Sequence, residues 1–227
     1  MSAVLAVYGE FKVGKSWFGQ TGEPPILLIE SEKGGSDHTP RTTVQWNWRH
    51  EPSPPPSPSW QTAAARIESV DDLKDVVTAS AATPFRTVVI DSFSDLQNRH
   101  MRLLAPPPDA LRIQDWGTLK RDFLVLAAGL NAWAHSAHGP CVVIICRCAL
   151  GEDGRFRPSL AGSFRDDMPY EVDALFHLSR HTDGRRVLQC APNPNSLAGS
   201  NFGGKLPDTI IDPQLADIHH KINTERT

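Results

Sequence analysis

Four stretches of the chain are continuously apolar and end in glycine or polar residues: Ser2–Gly9 (SAVLAVYG), Ile26–Glu30 (ILLIE), Arg86–Ser92 (RTVVIDS) and Cys141–Leu150 (CVVIICRCAL). Runs without polar alternation predict strands buried on both faces, as in a parallel sheet. Helical periodicity fills the gaps between them. A helix is predicted from Lys15 to about Gln20, stopped by TGEPP. Another begins at Ser69, a good cap, with Asp71 and Asp72 in the first turn where the helix dipole favours them. A short one covers Asp95–Leu104 and is stopped by APPPDA. From Asp115, the residues Trp116, Leu119, Phe123, Leu126, Leu130 and Trp133 recur at steps of three and four, which predicts one buried stripe. Val172–Arg180 and Arg185–Cys190, joined by the turn HTDGR, read as a hairpin, and a final helix is expected from about 213 to 222.

These elements predict an α/β fold: a mostly parallel sheet with helices on both faces and an antiparallel edge hairpin. Residues 1–227 are expected to form one domain without internal repeats. Residues 46–60 (WNWRHEPSPPPSPSW) interrupt the pattern, because proline is excluded from helix and sheet interiors, so a surface insertion is expected. Its tryptophans, Trp46, Trp48 and Trp60, are expected to fasten the insertion to the body; stacking on bases, or a P-x-x-P ligand, are the alternatives.

Composition narrows the classes. With 40% hydrophobic and 22% charged residues the chain is globular rather than disordered. A net charge of -3 provides no general field for polyanions, so contact with DNA would need a local patch or several subunits together. Cys141, Cys146, Cys148 and Cys190 form no C-x-x-C pair, and three lie on one apolar run, which predicts buried reduced thiols rather than zinc. Met1 leads straight into a strand and no apolar run approaches the roughly 20 residues of a membrane helix, so a cytoplasmic chain without membrane contact is expected.

The candidate chemistry lies where the first strand ends. Gly9, Glu10, Phe11, Lys12, Val13, Gly14, Lys15 and Ser16 match G-x-x-x-x-G-K-[ST], with Trp17 following on the helix. Glycines let backbone N–H groups converge on phosphates, Lys15 supplies positive charge, and the Ser16 hydroxyl suits Mg²⁺. The following helix directs its positive end at the anion. Such a loop needs an acidic partner for the metal, and Asp91, closing a buried strand, supplies it; a helix-capping role for Asp91 or Ser92 is the alternative.

The order of these motifs resembles the RecA-like P-loop ATPase core. In particular it resembles the short phage-encoded RecA-like, AAA-like proteins of single-strand annealing and recombination. The likeness runs from Val4 to about Leu206 and is sharpest at residues 9–16, 30–35 and 87–92. It implies that Gly9, Gly14, Lys15 and Ser16 hold phosphates and metal, and that Asp91 joins the metal. Glu32, in Ser31-Glu32-Lys33-Gly34-Gly35, matches the carboxylate that deprotonates the attacking water, with Glu30 as runner-up. Arg147 stands where the family has a glutamine or histidine sensing the γ-phosphate; an arginine there suits a phosphate contact or a salt bridge.

By the same resemblance, PPPDALRIQ and LGEDGRFRPSLAGSFRDD occupy the places of DNA-facing loops. Arg155, Arg157 and Arg165 would then contact phosphates, with Phe156 and Phe164 stacking bases. Between residues 147 and 186, however, seven arginines are balanced by seven acidic residues. Lys205 or Arg185 is the candidate to reach across a subunit boundary. The implied activity is Mg²⁺-dependent ATP binding and hydrolysis in phage DNA recombination. It would act on single-stranded DNA as a homo-oligomeric filament or ring in the host cytoplasm, with phage recombination or replication proteins as partners. The alternative is a non-hydrolysing annealing or recruitment module. A small-molecule kinase shares the glycine loop, with GEDGRFRP as its lid, but the long helix before the fourth apolar run and the acidic Glu32 argue against it.

Overall fold

The four apolar runs lie side by side in one sheet, because each has two greasy faces and needs cover on both. The computed structural model describes residues 2–32, 35–54, 60–80, 83–105 and 111–224. The strands are β1 (Val4–Gly9), β2 (Ile26–Glu30), β3 (Thr43–Gln45), β4 (Thr62–Arg66), β5 (Thr87–Asp91), β6 (Cys141–Leu150), β7 (Phe156–Pro158), β8 (Ala174–Arg180), β9 (Arg186–Gln189), β10 (Gly199–Ser200) and β11 (Thr209–Ile211). The helices are α1 (Lys15–Gly19), α2 (Val70–Ser80), α3 (Phe93–Leu104), α4 (Ile113–Ala134), α5 (Phe164–Asp167) and α6 (Leu215–Asn223).

The sheet order is β11-β9-β8-β1-β6-β5-β2-β4-β3. From β8 to β3 every pairing on this path is parallel; β9 and β11 add an antiparallel edge, and β7 and β10 pair antiparallel with β6 and β8. This is a mostly parallel mixed sheet of an α/β fold. Strand β6 separates β1 from β5. Register sets their carboxyl ends on one rim: Gly9 pairs with Arg147, Asp91 with Ile145, and Glu30 with Asp91.

Side chains alternate between the two faces. Val4, Ala6 and Tyr8 join a core with residues of α2, α3 and α4, whereas Leu5 and Val7 join one with Phe18 of α1 and Leu215, Ile218 and Ile222 of α6. Helices therefore cover both faces.

The structure adds five strands that the sequence pattern did not predict, β3, β4, β7, β10 and β11, of which β3 and β4 extend the parallel sheet. β4 reads TAAAR, whose small residues are buried yet carry little strand propensity. β3 is three residues long at the edge. Between them, Trp46 and Trp60 are buried in the core and the Trp48 indole donates to the Arg66 carbonyl at 2.8 Å, so the ends of the proline-rich insertion are fastened down. Its centre, residues 55–59, lies outside the described residues. α4 starts at Ile113, two residues earlier than expected, because the Asp115 carboxylate accepts from Arg112 N at 2.9 Å and Arg112 Nε at 3.0 Å. Trp116 of the predicted stripe is 38% exposed, whereas Leu119, Phe123, Leu126 and Leu130 are buried. Cys141, Cys146 and Cys190 are buried free thiols and Cys148 is half-buried. Among the described residues no helix is long and apolar enough to cross a membrane.

Candidate nucleotide-binding site

The chain after β1 must reverse within a few residues, and its backbone shows how. Lys12 has φ 58° and Gly14 has φ 102°, the left-handed region that glycine tolerates at no steric cost. Gly9 lies so close to the Leu178 carbonyl oxygen of β8 that any side chain there would collide with it. Val13 is buried and anchors the loop, whereas Phe11 is 86% exposed at its tip, with Lys12 Nζ 5.1 Å above its ring. Lys15 Nζ donates across the loop to the carbonyls of Gly9 at 2.9 Å and Glu10 at 2.7 Å, and burial holds its ammonium below the usual lysine range. Helix α1 is only five residues long. Its dipole is correspondingly weak, so a phosphate held here would depend on the loop N–H groups and Lys15.

Ser16, in the first turn of α1, lies close enough to the carboxylate of Asp91 to favour its charged form, although β6 separates β1 from β5. Asp91 is buried, and burial pushes its carboxyl from 3.8 up to about 6; Glu32 and Glu30 push the same way, against Ser16 and Lys15. The capping alternative falls to the neighbouring residue, since Ser92 Oγ accepts from Asp95 N at 3.2 Å to open α3. Among the described residues no group of three or more His, Cys, Asp or Glu is placed to hold a metal. One hydroxyl and one carboxylate nevertheless fit Mg²⁺, which binds few protein oxygens and keeps waters or phosphate oxygens in its remaining positions.

Glu30 and Glu32 have different surroundings. Glu30 is buried beneath the loop, its Oε1 accepts from Ser36 N at 2.6 Å, and burial raises its pKa. Gly35 packs on it: a Cβ there would lie 2.7 Å from Glu30 Oε1 and 3.5 Å from Asp91 Oδ2. Glu32 is half-exposed at the rim. Its Oε1 accepts from Ser92 Oγ at 2.6 Å and from Arg147 Nε and Nη2 at 3.0 and 2.8 Å. Arg147 Nη2 also reaches Asp95 Oδ1 at 3.3 Å. Of the two uses open to Arg147, the structure shows the salt bridge. Lys33 and Gly34 lie outside the described residues.

The site thus brings together Lys15, Ser16, Asp91, Glu30 and Glu32. Asp95 completes it and was missed, and Ser92, read from the sequence only as a possible helix cap, both caps α3 and donates to Glu32. Gln20 was also missed; its Nε2 ties the Ser16 carbonyl at 3.2 Å to the Gly35 carbonyl at 3.0 Å.

Other expectations need correction. Phe164 is 1% exposed, in the core against Phe93 and Phe123, and is not free to stack on bases. Phe156 stacks on His177 at 5.4 Å. Arg155 and Arg157 both pair with Asp153, at 2.8 and 2.6 Å, and Arg165 pairs with Asp166 at 3.2 Å. Lys205 Nζ donates to the Ile222 carbonyl at 2.8 Å and so caps α6, and Arg185 pairs with Asp183 at 2.7 Å. Of the other loop expected to face DNA, residues 106–110 lie outside the described residues.

The burial of Asp91 leads to a stability prediction. A carboxyl whose folded pKa is raised contributes stability below its unfolded value and loses it as pH rises through the folded one. A rise from 3.8 to about 6 corresponds to a ceiling of about 3 kcal/mol, lost as the pH climbs across that interval. Asp91→Asn is therefore expected to raise the melting temperature of the ligand-free chain at neutral pH, with the gain vanishing near pH 4. A thermal melt across pH checks it.

Comparison with known proteins agrees with this geometry. No curated protein matches the chain. A family described as the AAA domain matches residues 1–202, which takes in the glycine loop, Glu32, Asp91 and Arg147. The chain belongs to this AAA domain family and carries its P-loop nucleotide-binding ATPase core.

Proposed function

We propose that this chain is a Mg²⁺-dependent ATPase of the RecA-like, phage recombination type, acting on single-stranded DNA. The observation that carries the enzymatic part is the convergence of Ser16, Lys15 and Glu32 on the buried carboxylate of Asp91 at the rim of the sheet. In this reading the loop N–H groups and Lys15 bind the phosphates, and Ser16 and Asp91 hold the cation. When bound, magnesium would neutralise charge developing on the phosphate oxygens. Glu32 takes a proton from the attacking water. Its Ser92 and Arg147 donors all fall on Oε1, which leaves Oε2 for that proton. Because a proton on Asp91 competes with the cation, nucleotide affinity in magnesium is expected to fall as pH drops through about 6.

The DNA part rests on the resemblance. The arginines after β6 are paired with acids, so DNA would have to displace those acids or meet an assembled ring or filament. The Arg147–Glu32 pair favours a second reading, a module that holds nucleotide with little turnover, because the guanidinium already occupies an oxygen of the carboxylate that would serve the attacking water. Phosphate release from ATP, with and without single-stranded DNA and at low and high salt, separates the two. The proposal predicts release that DNA stimulates and salt suppresses. Absence of release under all these conditions would leave the second reading.

A further inference from the structure

Arg186, at the start of β9, has no role in the reading above, yet its side chain lies on the glycine loop. A Cβ on Gly14 would come 2.6 Å from Arg186 Nε and 3.3 Å from its Cζ and Nη2. The guanidinium carbon lies 4.2 Å from the centre of the Trp17 ring, on the residue directly after Ser16. The backbone is fixed as well: Arg186 N donates to Asp212 Oδ1 at 3.0 Å and its carbonyl accepts from Asp212 N at 2.8 Å.

Among the described residues nothing anionic meets this guanidinium. Its Nε is buried and lacks a hydrogen-bond partner, and among the described residues no carboxylate pairs with its side chain. The neighbouring Arg185 shows the ordinary alternative, an ion pair with Asp183 at 2.7 Å. A buried guanidinium N–H without an acceptor is unfavourable, so a position that keeps one is suited to an acceptor that arrives from outside. The Trp17 ring supplies attraction through its face without consuming any N–H donor. Arginine also presents neighbouring N–H groups in a plane, which matches two oxygens of one phosphate.

We propose that Arg186 is a nucleotide-binding residue: with Trp17 positioning it, its Nε and Nη2 take oxygens of one phosphate group of a nucleoside di- or triphosphate bound at Gly14. This rests on the reading that the glycine loop binds nucleotide. The β8–β9 hairpin then does more than close the sheet edge, since it brings a second fixed positive charge to the loop beside Lys15.

The test is equilibrium binding of ATP and ADP in magnesium to the wild type, Arg186→Ala, Arg186→Lys and Lys15→Ala, with thermal melts of each ligand-free protein. Arg186→Ala is expected to weaken both nucleotides by roughly 10- to 100-fold, the range of a lost charge-assisted pair. Arg186→Lys should recover only part of this, because it keeps the charge and loses the paired donors. Ligand-free melting temperatures of both Arg186 variants should match the wild type or exceed it, since an unpaired buried donor is removed. Wild-type affinity in Arg186→Ala, with affinity lost in Lys15→Ala, overturns the assignment and leaves the loop reading intact. Wild-type affinity in both variants overturns the loop reading as well. A lowered ligand-free melting temperature in both Arg186 variants, with a normal rise on adding ATP, assigns Arg186 to the fold and also overturns the proposal.

Discussion

Replacing Glu32 by glutamine is expected to lower phosphate release by about 100-fold or more while leaving ATP affinity within about threefold. Glutamine keeps the shape and an oxygen that accepts from Ser92 Oγ and Arg147, so the rim keeps much of its hydrogen bonding. It has no carboxylate to receive a proton from water, and only that step is removed. The separation of turnover from binding is informative because Glu30 stands nearby as the competing carboxylate. Glu30 is buried and engaged with Ser36 N, and Gly35 packs over it. Glu30→Gln keeps an oxygen to accept from Ser36 N and is expected to leave turnover largely intact, which separates the two carboxylates. If Glu32→Gln hydrolyses ATP at the wild-type rate, the proton acceptor is not Glu32.

Lys15→Ala is expected to weaken ATP binding by about 100-fold or more, because it removes the ammonium group held inside the curve of the loop. Two effects act together. The positive charge facing the phosphates is lost, and so are the hydrogen bonds of Nζ to the Gly9 and Glu10 carbonyls, which tie the loop across its own mouth. Burial already holds the ammonium below its usual range, so an arriving phosphate strengthens the charged form. Binding of a fluorescent ATP analogue and its displacement by ATP check this. Unchanged affinity would place the nucleotide elsewhere on the molecule.

The sheet was legible where apolar runs are long and rich in Val, Ile and Leu. β1, β2, β5 and β6 follow them closely, and Gly9, Glu30 and Asp91 fall at their carboxyl ends for that reason. The β8–β9 hairpin was readable from its turn. β4 was not, because TAAAR has no alternation and only one β-branched residue, Thr62, and its burial comes from lying between β2 and β3. Within the site, the glycine loop was legible since its spacing encodes a backbone shape. Side-chain pairing was not. Arg147 and Glu32 are 115 residues apart, and an arginine suits a carboxylate as well as a phosphate. Phe156 and Phe164 look alike in sequence, each flanked by arginine, yet only Phe164 turns into the core, where α5 faces Phe93 and Phe123. Arg186 carried no signal, because its place on Gly14 depends on the hairpin lying beside β1.

The most direct measurement is calorimetric titration of ATP into the wild-type chain at neutral pH, with magnesium and again with excess EDTA. A single saturable site, at least about tenfold tighter with magnesium and losing that difference in Asp91→Asn, is the predicted result. No saturable binding, or binding equally tight in EDTA and in magnesium, would contradict a nucleotide held with a cation between Ser16 and Asp91.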